Sequence, residues 1–171
     1  MADLTIALAG NPNAGKTTIF NVLTGLHQHT GNWPGKTVEK KEGEIQHGNL
    51  KINIVDLPGT YSLTAYSPEE IIARDFIIQE HPDVVINVVD ATNLERNLYL
   101  TVQILELDVP MVVALNMADD LHKNGAKINL DQLSQLLGGI PVISTTANQG
   151  KGISDLISKA VRAAGKNQEA T

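Results

Sequence analysis

The sequence contains no cysteine, which excludes disulfides, thiolate metal sites and cysteine nucleophiles. It also has no long hydrophobic run. The longest apolar stretches, residues 84–89 and 111–115, fall far short of the ~18 residues that are needed to cross a bilayer. The first residues, Met1-Ala2-Asp3-Leu4, lack the basic start and apolar stretch of a signal peptide. We therefore expect a cytoplasmic domain that does not itself insert into a membrane.

An excess of positive charge is absent as well. The chain has 13 Lys and Arg against 19 Asp and Glu, a net charge of −6. A general nucleic-acid binder needs a basic face, so we expect no nucleic-acid partner. Hydrophobic residues make up 42% and charged residues 19% of the 171 residues, a composition typical of one folded globular domain. We assign residues 1–164 to this domain and the polar residues 165–171 to a C-terminal tail.

Short apolar segments alternate with segments of helical periodicity along the chain. The apolar segments predict strands at residues 4–9, 38–46, 51–56, 84–90, 110–116 and 141–144. The helical patterns cover residues 16–24, 68–80, 94–107, 129–137 and 152–163. Residues 25–41 show no periodicity and predict a long loop of functional importance. This alternation predicts an α/β fold: a mostly parallel six-stranded sheet with one antiparallel edge strand and helices on both faces.

Ligands of such sheets bind beyond the carboxyl ends of the strands. Residues 10–17, Gly-Asn-Pro-Asn-Ala-Gly-Lys-Thr, lie between a predicted strand and a predicted helix and fit the phosphate-loop pattern G-x-x-x-x-G-K-[ST]. Backbone N–H groups of such a loop cradle phosphates, Lys16 would reach the β- and γ-phosphates, and the Thr17 hydroxyl would bind Mg²⁺. The alternative, an ordinary glycine-rich turn, does not explain both neighbouring elements. The predicted nucleotide contacts here are Gly10, Asn11, Asn13, Ala14, Gly15, Lys16, Thr17 and Thr18.

A second motif, Asp56-Leu57-Pro58-Gly59, ends the third predicted strand. A carboxylate there holds Mg²⁺ through water, and a glycine N–H meets the γ-phosphate. A D-x-x-G motif is weak alone, because a simple turn also explains it. Its place at a strand end, after a phosphate loop, favours the nucleotide interpretation for Asp56 and Gly59.

Two further motifs predict which base is bound. In Asn116-Met117-Ala118-Asp119, at the end of the fifth predicted strand, the Asp119 carboxylate would accept two hydrogen bonds from the N1–H and exocyclic amine of guanine. Adenine lacks these donors, so the predicted ligand is GTP or GDP. A helix-capping aspartate is the alternative. The last motif is Ser144, Thr145 and Thr146, whose backbone N–H groups would meet the guanine oxygen unless the segment is a plain turn.

These motifs, in this order, resemble those of P-loop GTPases with a Ras-like G domain. The resemblance can be narrowed, because residues 31–39, Gly-Asn-Trp-Pro-Gly-Lys-Thr-Val-Glu, resemble the first switch, G-N-W-P-G-x-T-V-E, of the GTP-binding domain of ferrous iron transport protein B. Residues 56–63 are similar to its second switch, and residues 90–98 resemble a further family segment. The resemblance covers about residues 4–163. It implies a GTPase of ferrous iron transport, whose downstream helical and membrane permease domains would be its partners.

The resemblance also implies roles for individual residues. Thr37 would join Mg²⁺ and the γ-phosphate when GTP is bound, completing a magnesium set with Thr17 and Asp56. Asn13 would support potassium-stimulated hydrolysis, with backbone carbonyls near Gly31 and Trp33 completing the shell of the potassium ion. The implied catalytic residues are Asn13, Lys16, Thr37 and Gly59.

Three positions depart from the pattern: Lys36 replaces an apolar residue, Met117 a common lysine and Thr145 an alanine. No glutamine follows Gly59, since Thr60 stands there, so no side chain is identified that positions water. A nucleotide-controlled binding module with negligible hydrolysis therefore stays open, as do a ribosome- or tRNA-associated GTPase and a P-loop kinase or ATPase. His27 and His29 could also touch Fe²⁺, although no third ligand is close in sequence and solvated loop histidines explain them better.

Overall fold

A computed structural model describes residues 2–165. Its strands are β1 Leu4–Gly10, β2 Gln28–Asn32, β3 Glu39–His47, β4 Leu50–Asp56, β5 Val84–Asp90, β6 Met111–Asn116 and β7 Val142–Ser144. Its helices are α1 Lys16–Thr24, α2 Pro68–Glu80, α3 Leu94–Glu106, α4 Ala118–Lys123, α5 Leu130–Leu136 and α6 Ile153–Ala163. Apart from Gly165, the predicted tail at residues 165–171 lies outside the described residues.

The strands form one seven-stranded sheet in the order β2-β3-β4-β1-β5-β6-β7. Strands β4, β1, β5, β6 and β7 run parallel, β3 is antiparallel to β4, and β2 is antiparallel to β3. The predicted α/β class with a mostly parallel sheet is confirmed. The predicted strand number of six is wrong by one, because β2 lies inside the predicted loop 25–41, and the antiparallel strand β3 is therefore not at the edge.

The unpredicted strand β2 has the sequence Gln-His-Thr-Gly-Asn and is almost entirely exposed. It pairs with β3 from Gln28 opposite Gly43 to Asn32 opposite Glu39. A strand on the sheet edge with both faces in water carries no alternation of apolar and polar residues, so periodicity does not reveal it. Only its backbone pairing with β3 defines it.

Helices cover both faces of the sheet, as predicted. Alternate residues of β1 point to opposite faces: Ile6 and Leu8 pack in a core cluster with α1 and α6, whereas Ala7 and Ala9 pack with α2 and α3. Helix α2 has a capped N-terminus, since the Ser67 hydroxyl accepts a hydrogen bond from the Glu70 backbone N–H. Within residues 2–165, no helix has the length and apolar character that spanning a membrane requires.

The parallel strands all end at the same edge of the sheet. The phosphate-loop sequence follows β1, the Asp56–Gly59 motif follows β4, and the Asn116–Asp119 motif follows β6. The fold therefore gathers at one edge three motifs that lie far apart in the chain.

Candidate nucleotide-binding site

The loop between β1 and α1 is a tight backbone turn. Gly15 has φ 94°, and a Cβ atom at this position would lie 2.1 Å from Asn116 Nδ2. A Cβ on Gly10 would lie 2.7 Å from the Val88 carbonyl oxygen. Both contacts exclude larger side chains, so the glycines of the motif are steric requirements. The loop leads directly into the N-terminus of α1 at Lys16, and unpaired N–H groups at such a terminus form an anion site.

Lys16 and Asp56 are in direct contact behind this loop. Both side chains are buried, and Lys16 Nζ donates a hydrogen bond to Asp56 Oδ1. Burial raises the pKa of the Asp56 carboxyl, while the Lys16 ammonium partly offsets that effect. The two side chains predicted for the phosphates and Mg²⁺ therefore meet between the ends of β1 and β4, where the ammonium balances the carboxylate charge.

The segment after Asp56 lies against the phosphate loop. The Thr60 backbone N–H donates to the Gly10 carbonyl at 3.1 Å, and a Cβ on Gly59 would lie 2.9 Å from Pro12 Cα. Glycine at position 59 thus allows the two loops to touch. This contact puts the Gly59 backbone beside the predicted phosphate site.

Asn116 connects three segments through its buried side chain. Its Nδ2 donates to the Ala14 carbonyl at 3.1 Å. Its Oδ1 accepts from the Thr145 hydroxyl and from the Ala147 backbone N–H, both at 3.1 Å. The amide therefore holds the phosphate loop, the end of β6 and the loop after β7 together. This asparagine, predicted from the sequence as a nucleotide contact, thus also supports the loops around the site.

Thr145 is one of the departures from the family pattern, and its side chain is directed inward. It is 1% exposed, and its hydroxyl contributes to the bonding of Asn116. From the sequence, Thr145 was predicted as a backbone contact to guanine and as a departure from alanine, but not as a partner of Asn116. Its support of Asn116 depends on a contact between distant residues, so no local pattern could reveal it.

A cavity of about 160 Å³ lies beside Asn116. It is lined by Gly15, Thr18, Asn116, Met117, Asp119 and Thr146, among others. Met117 has φ 62°, so the chain turns sharply between β6 and α4. Asn116, Met117, Asp119 and Thr146 thus line one concave surface next to the phosphate loop. Of the other predicted base contacts, Thr145 is buried and Ser144 is exposed at the end of β7.

Two of the predicted ion ligands are exposed: Asn13 of the phosphate loop and Thr37 of the first switch. Gly31 lies within β2 opposite Lys40, and the Trp33 carbonyl accepts the Lys36 N–H at 2.9 Å. One hydrogen bond leaves a carbonyl oxygen with a second lone pair, so this turn does not by itself prevent ion binding by Trp33.

Trp33 anchors this loop to α2. The indole is 7% exposed and contacts the Phe76 ring edge-on, with 5.7 Å between the centroids. Lys40 Nζ lies 4.8 Å from the indole centroid on a ring face. The sequence predicted a long functional loop here, but not that its tryptophan is a core residue. A lone tryptophan among polar residues was the available signal.

The histidines of the neighbouring strand show no metal geometry. His27 and His29 are exposed. Over residues 2–165, no group of three or more His, Cys, Asp or Glu side chains is arranged to hold a metal ion. The iron-site interpretation of these histidines therefore has no support.

A phosphate loop after β1, an acid and a glycine after β4, and an Asn-x-x-Asp motif after β6 of a mostly parallel sheet together define a P-loop G domain. A scan against protein-family models matches residues 4–160 to ferrous iron transport protein B. The chain belongs to this family and corresponds to its GTP-binding domain.

Individual relatives agree with this assignment. The chain is 53% identical over 160 residues to the Fe(2+) transporter FeoB of Escherichia coli K12, covering 91% of this chain and 21% of that protein. A Fe(2+) transport protein A/Fe(2+) transporter FeoB fusion protein of Porphyromonas gingivalis is 53% identical over 154 residues, covering 90% and 18%. The chain thus spans about a fifth of the length of these curated relatives.

Solved structures extend the likeness to the fold. The FeoB G-domain of Methanococcus jannaschii superposes with a TM-score of 0.85 at 48% identity, covering 96% of this chain and 99% of that one. A GDP-bound point mutant of NFeoB from S. thermophilus gives a TM-score of 0.90 at 48% identity, covering 96% and 65%.

Proposed function

We propose that this chain is the GTP-binding and slowly GTP-hydrolysing regulatory domain of a ferrous iron transporter, dependent on Mg²⁺ and stimulated by potassium. The observation that carries the proposal is the convergence of three distant motifs at one sheet edge, where Asn116 bonds to Ala14 of the phosphate loop and to Thr145 and Ala147 of the last loop. The GDP-bound relatives support a guanine nucleotide as the ligand.

The residues around the phosphate loop fit magnesium and phosphate chemistry. Thr17, Thr37 and Asp56 offer the hydroxyl and carboxylate oxygens that Mg²⁺ prefers, and Lys16 lies in contact with Asp56. When bound, Mg²⁺ neutralises charge that develops on the phosphate oxygens. Lys16 would turn from Asp56 towards the β- and γ-phosphates, and the Gly59 N–H would meet the γ-phosphate as the second switch closes.

We expect slow turnover because no side chain is identified that orients the attacking water. The residue after Gly59 is Thr60, which is buried and whose N–H is bonded to the Gly10 carbonyl. No glutamine stands there to orient water, so backbone groups of the two switches are left for this role. The same observation favours the second candidate, a nucleotide-controlled binding module with negligible hydrolysis. Single-turnover hydrolysis of GTP separates the two.

The potassium dependence is tested through Asn13, an exposed phosphate-loop amide. A carbonyl oxygen is a hard ligand suited to an alkali cation, and a cation held there would stabilise the growing charge of the transition state. We expect GTP hydrolysis to be faster in KCl than in NaCl at equal ionic strength. Removing one preorganised stabilising contact costs about 10²–10³ in rate in other enzymes, and we expect a smaller factor for an alkali ion.

Asn13→Ala should erase the difference between the two salts. Lys123→Ala is a suitable matched control, because that side chain is exposed and paired only with Asp120 at the surface. It should retain the potassium response. Equal wild-type rates in the two salts, or a potassium response that survives in Asn13→Ala, would contradict the assignment.

Trp33 provides an intrinsic probe of the first switch, since it is the single tryptophan of the chain. Its indole is buried against Phe76, and Thr37 must approach the nucleotide from the same loop. We expect its emission maximum and its quenching by acrylamide to differ between the complexes with a GTP analogue and with GDP. Phe76→Leu should reduce the difference in quenching, because it removes the ring that holds the indole. Identical spectra and quenching in both nucleotide states would show that the loop does not switch.

The lengths of the relatives indicate which further domains this domain would act on. The chain spans about a fifth of them, so the domain would act on downstream helical and permease domains, from the cytoplasmic side of the membrane. A proteolysis assay on the full-length transporter tests this coupling. GTP analogue and GDP should give different cleavage patterns outside residues 1–164.

A further inference from the structure

The phosphate loop contains a buried amide that has no hydrogen-bond partner among the described residues 2–165. Asn11 is 4% exposed, and both its Nδ2 and its Oδ1 are buried without a hydrogen bond. Within residues 2–165, the only other buried side-chain polar atom in this condition is Trp33 Nε1. Both residues belong to loops of the predicted nucleotide site. The backbone carbonyl of Asn11 is satisfied, since it accepts the Ala14 N–H at 3.1 Å, so the unmet bonds belong to the side chain.

An unpartnered buried amide is unfavourable, because it has lost its bonds to water and gained none in return. Buried polar side chains in native proteins are bonded with few exceptions. If the loops adopt a second arrangement in which Asn11 gains hydrogen-bond partners, these new bonds favour that arrangement. The element that supplies them must lie close to Asn11 and be able to move.

The contacts of the two neighbouring residues identify that element. The Gly10 carbonyl accepts the Thr60 N–H at 3.1 Å, and Pro12 Cα is so close to Gly59 that a Cβ there would lie at 2.9 Å. Asn11 is therefore flanked on both sides by contacts to Gly59 and Thr60 of the second switch, within the segment of residues 59–66 that leads to the next helix. Those residues are irregular up to Ser67, which caps α2. Their peptide groups offer both donors and acceptors, which is what an amide side chain requires.

We propose that Asn11 is a positioning residue whose side-chain amide bonds to backbone groups of the second switch when that segment closes over the γ-phosphate. The proposal rests on the GTP-dependent function proposed above. In the GDP-bound and nucleotide-free arrangements the amide stays unpaired. Asn11 therefore biases the switch towards the GTP-bound arrangement, by about 5- to 150-fold if one buried amide is satisfied.

Asn11→Leu tests this, since leucine has a similar branched shape and nothing polar to satisfy. The variant should raise the melting temperature of the nucleotide-free protein by about 2 °C or more, because the unpaired amide is removed. The ratio of affinities for a non-hydrolysable GTP analogue and for GDP should fall by about 5- to 150-fold. Hydrogen exchange of residues 59–66 should no longer be slowed by the analogue more than by GDP. If Asn11 were needed only for folding, replacing it would not both raise the melting temperature and lower the ratio of affinities.

Asn13→Leu is the matched control for stability, because Asn13 lies two positions away in the same loop but is exposed. It should give no rise in melting temperature. Asn11→Ala is a second variant for the case in which leucine does not fit the site. It should show the same fall in the affinity ratio and the same loss of protection from hydrogen exchange. A lower melting temperature in Asn11→Leu together with an unchanged affinity ratio in Asn11→Ala would overturn the proposal, as the amide would then serve the free protein alone.

Two further results separate the possible failures. Loss of analogue affinity with unchanged protection of residues 59–66 would show that Asn11 acts on the nucleotide itself, which also overturns the proposal. A wild-type protein that binds neither the analogue nor GDP would refute the proposed function on which the inference rests.

Discussion

Lys16→Ala should lower the affinity for Mg²⁺-GTP by at least about 10²–10³, because it removes a charge-assisted contact to the phosphates. It should also destabilise the nucleotide-free protein. Lys16 is the hydrogen-bond partner of Asp56, and both side chains are buried. Removing one partner of a buried ion pair leaves an uncompensated charge, at a cost of about 3–5 kcal/mol. Isothermal titration calorimetry and thermal unfolding measure the two effects separately.

The stability loss of Lys16→Ala should depend on pH in a direction unusual for a carboxylate. Burial raises the pKa of Asp56, and Lys16 is the main group that lowers it. Without Lys16 the folded-state pKa moves further above the unfolded value, so the folded protein binds the proton more tightly. The deficit relative to wild type is therefore full above that raised pKa and shrinks as the pH falls through it. Melting temperatures across a pH series test the sign.

Two variants separate binding from stability. Thr17→Ala removes an exposed hydroxyl and should abolish the Mg²⁺ dependence of GTP binding with little change in melting temperature. Adding Asp56→Asn to Lys16→Ala should restore much of the stability but none of the GTP affinity, because the buried charge is gone while the phosphate contact is still missing. Tight GTP binding by Lys16→Ala would refute the phosphate-loop assignment.

Asp119→Asn should change the preferred base from guanine to xanthine. The wild-type carboxylate lines the cavity beside Met117 and would accept hydrogen bonds from the N1–H and the exocyclic amine of guanine. An amide loses the charge and instead offers a donor to the additional carbonyl of xanthine. Bonds to charged groups contribute about 1.5–3 kcal/mol each, so GDP affinity should fall by about 10²-fold or more. Titration of GDP, XDP and IDP against both proteins measures the preference.

IDP provides a ligand-side check, since it lacks only the exocyclic amine. Wild type should bind it more weakly than GDP, whereas Asp119→Asn should discriminate little between the two. Asp120→Asn is the matched control for charge at this cavity, because Asp120 also lines it but is exposed and pairs with Lys123 at 3.8 Å. It should keep the guanine preference. Unchanged guanine preference in Asp119→Asn would show that this aspartate, which lies in the first turn of α4, does not recognise the base.

The features that the sequence by itself determined are those with a local physical cause. The phosphate loop is recognisable because its glycines have a fixed spacing between a strand and a helix, and Gly15 has φ 94°, a conformation that favours glycine. The strands of the parallel sheet are recognisable because both of their faces are buried, so they are continuously apolar. The order of the motifs along the chain then implied the fold class and the bound nucleotide.

Other features depend on tertiary contacts and could not be predicted from the sequence. The polar strand β2 exists through its pairing with β3, and neither of its faces leaves a hydrophobic pattern. Some contacts join residues that are distant in the chain, namely the bonds from Asn116 to Ala14 and Thr145 and the contact of Trp33 with Phe76. The packing of distant segments also leaves the Asn11 amide without a partner among the described residues. Contacts of this kind depend on how the loops at one sheet edge pack against each other. The residues next to a side chain in the sequence do not reveal which distant residue it will contact.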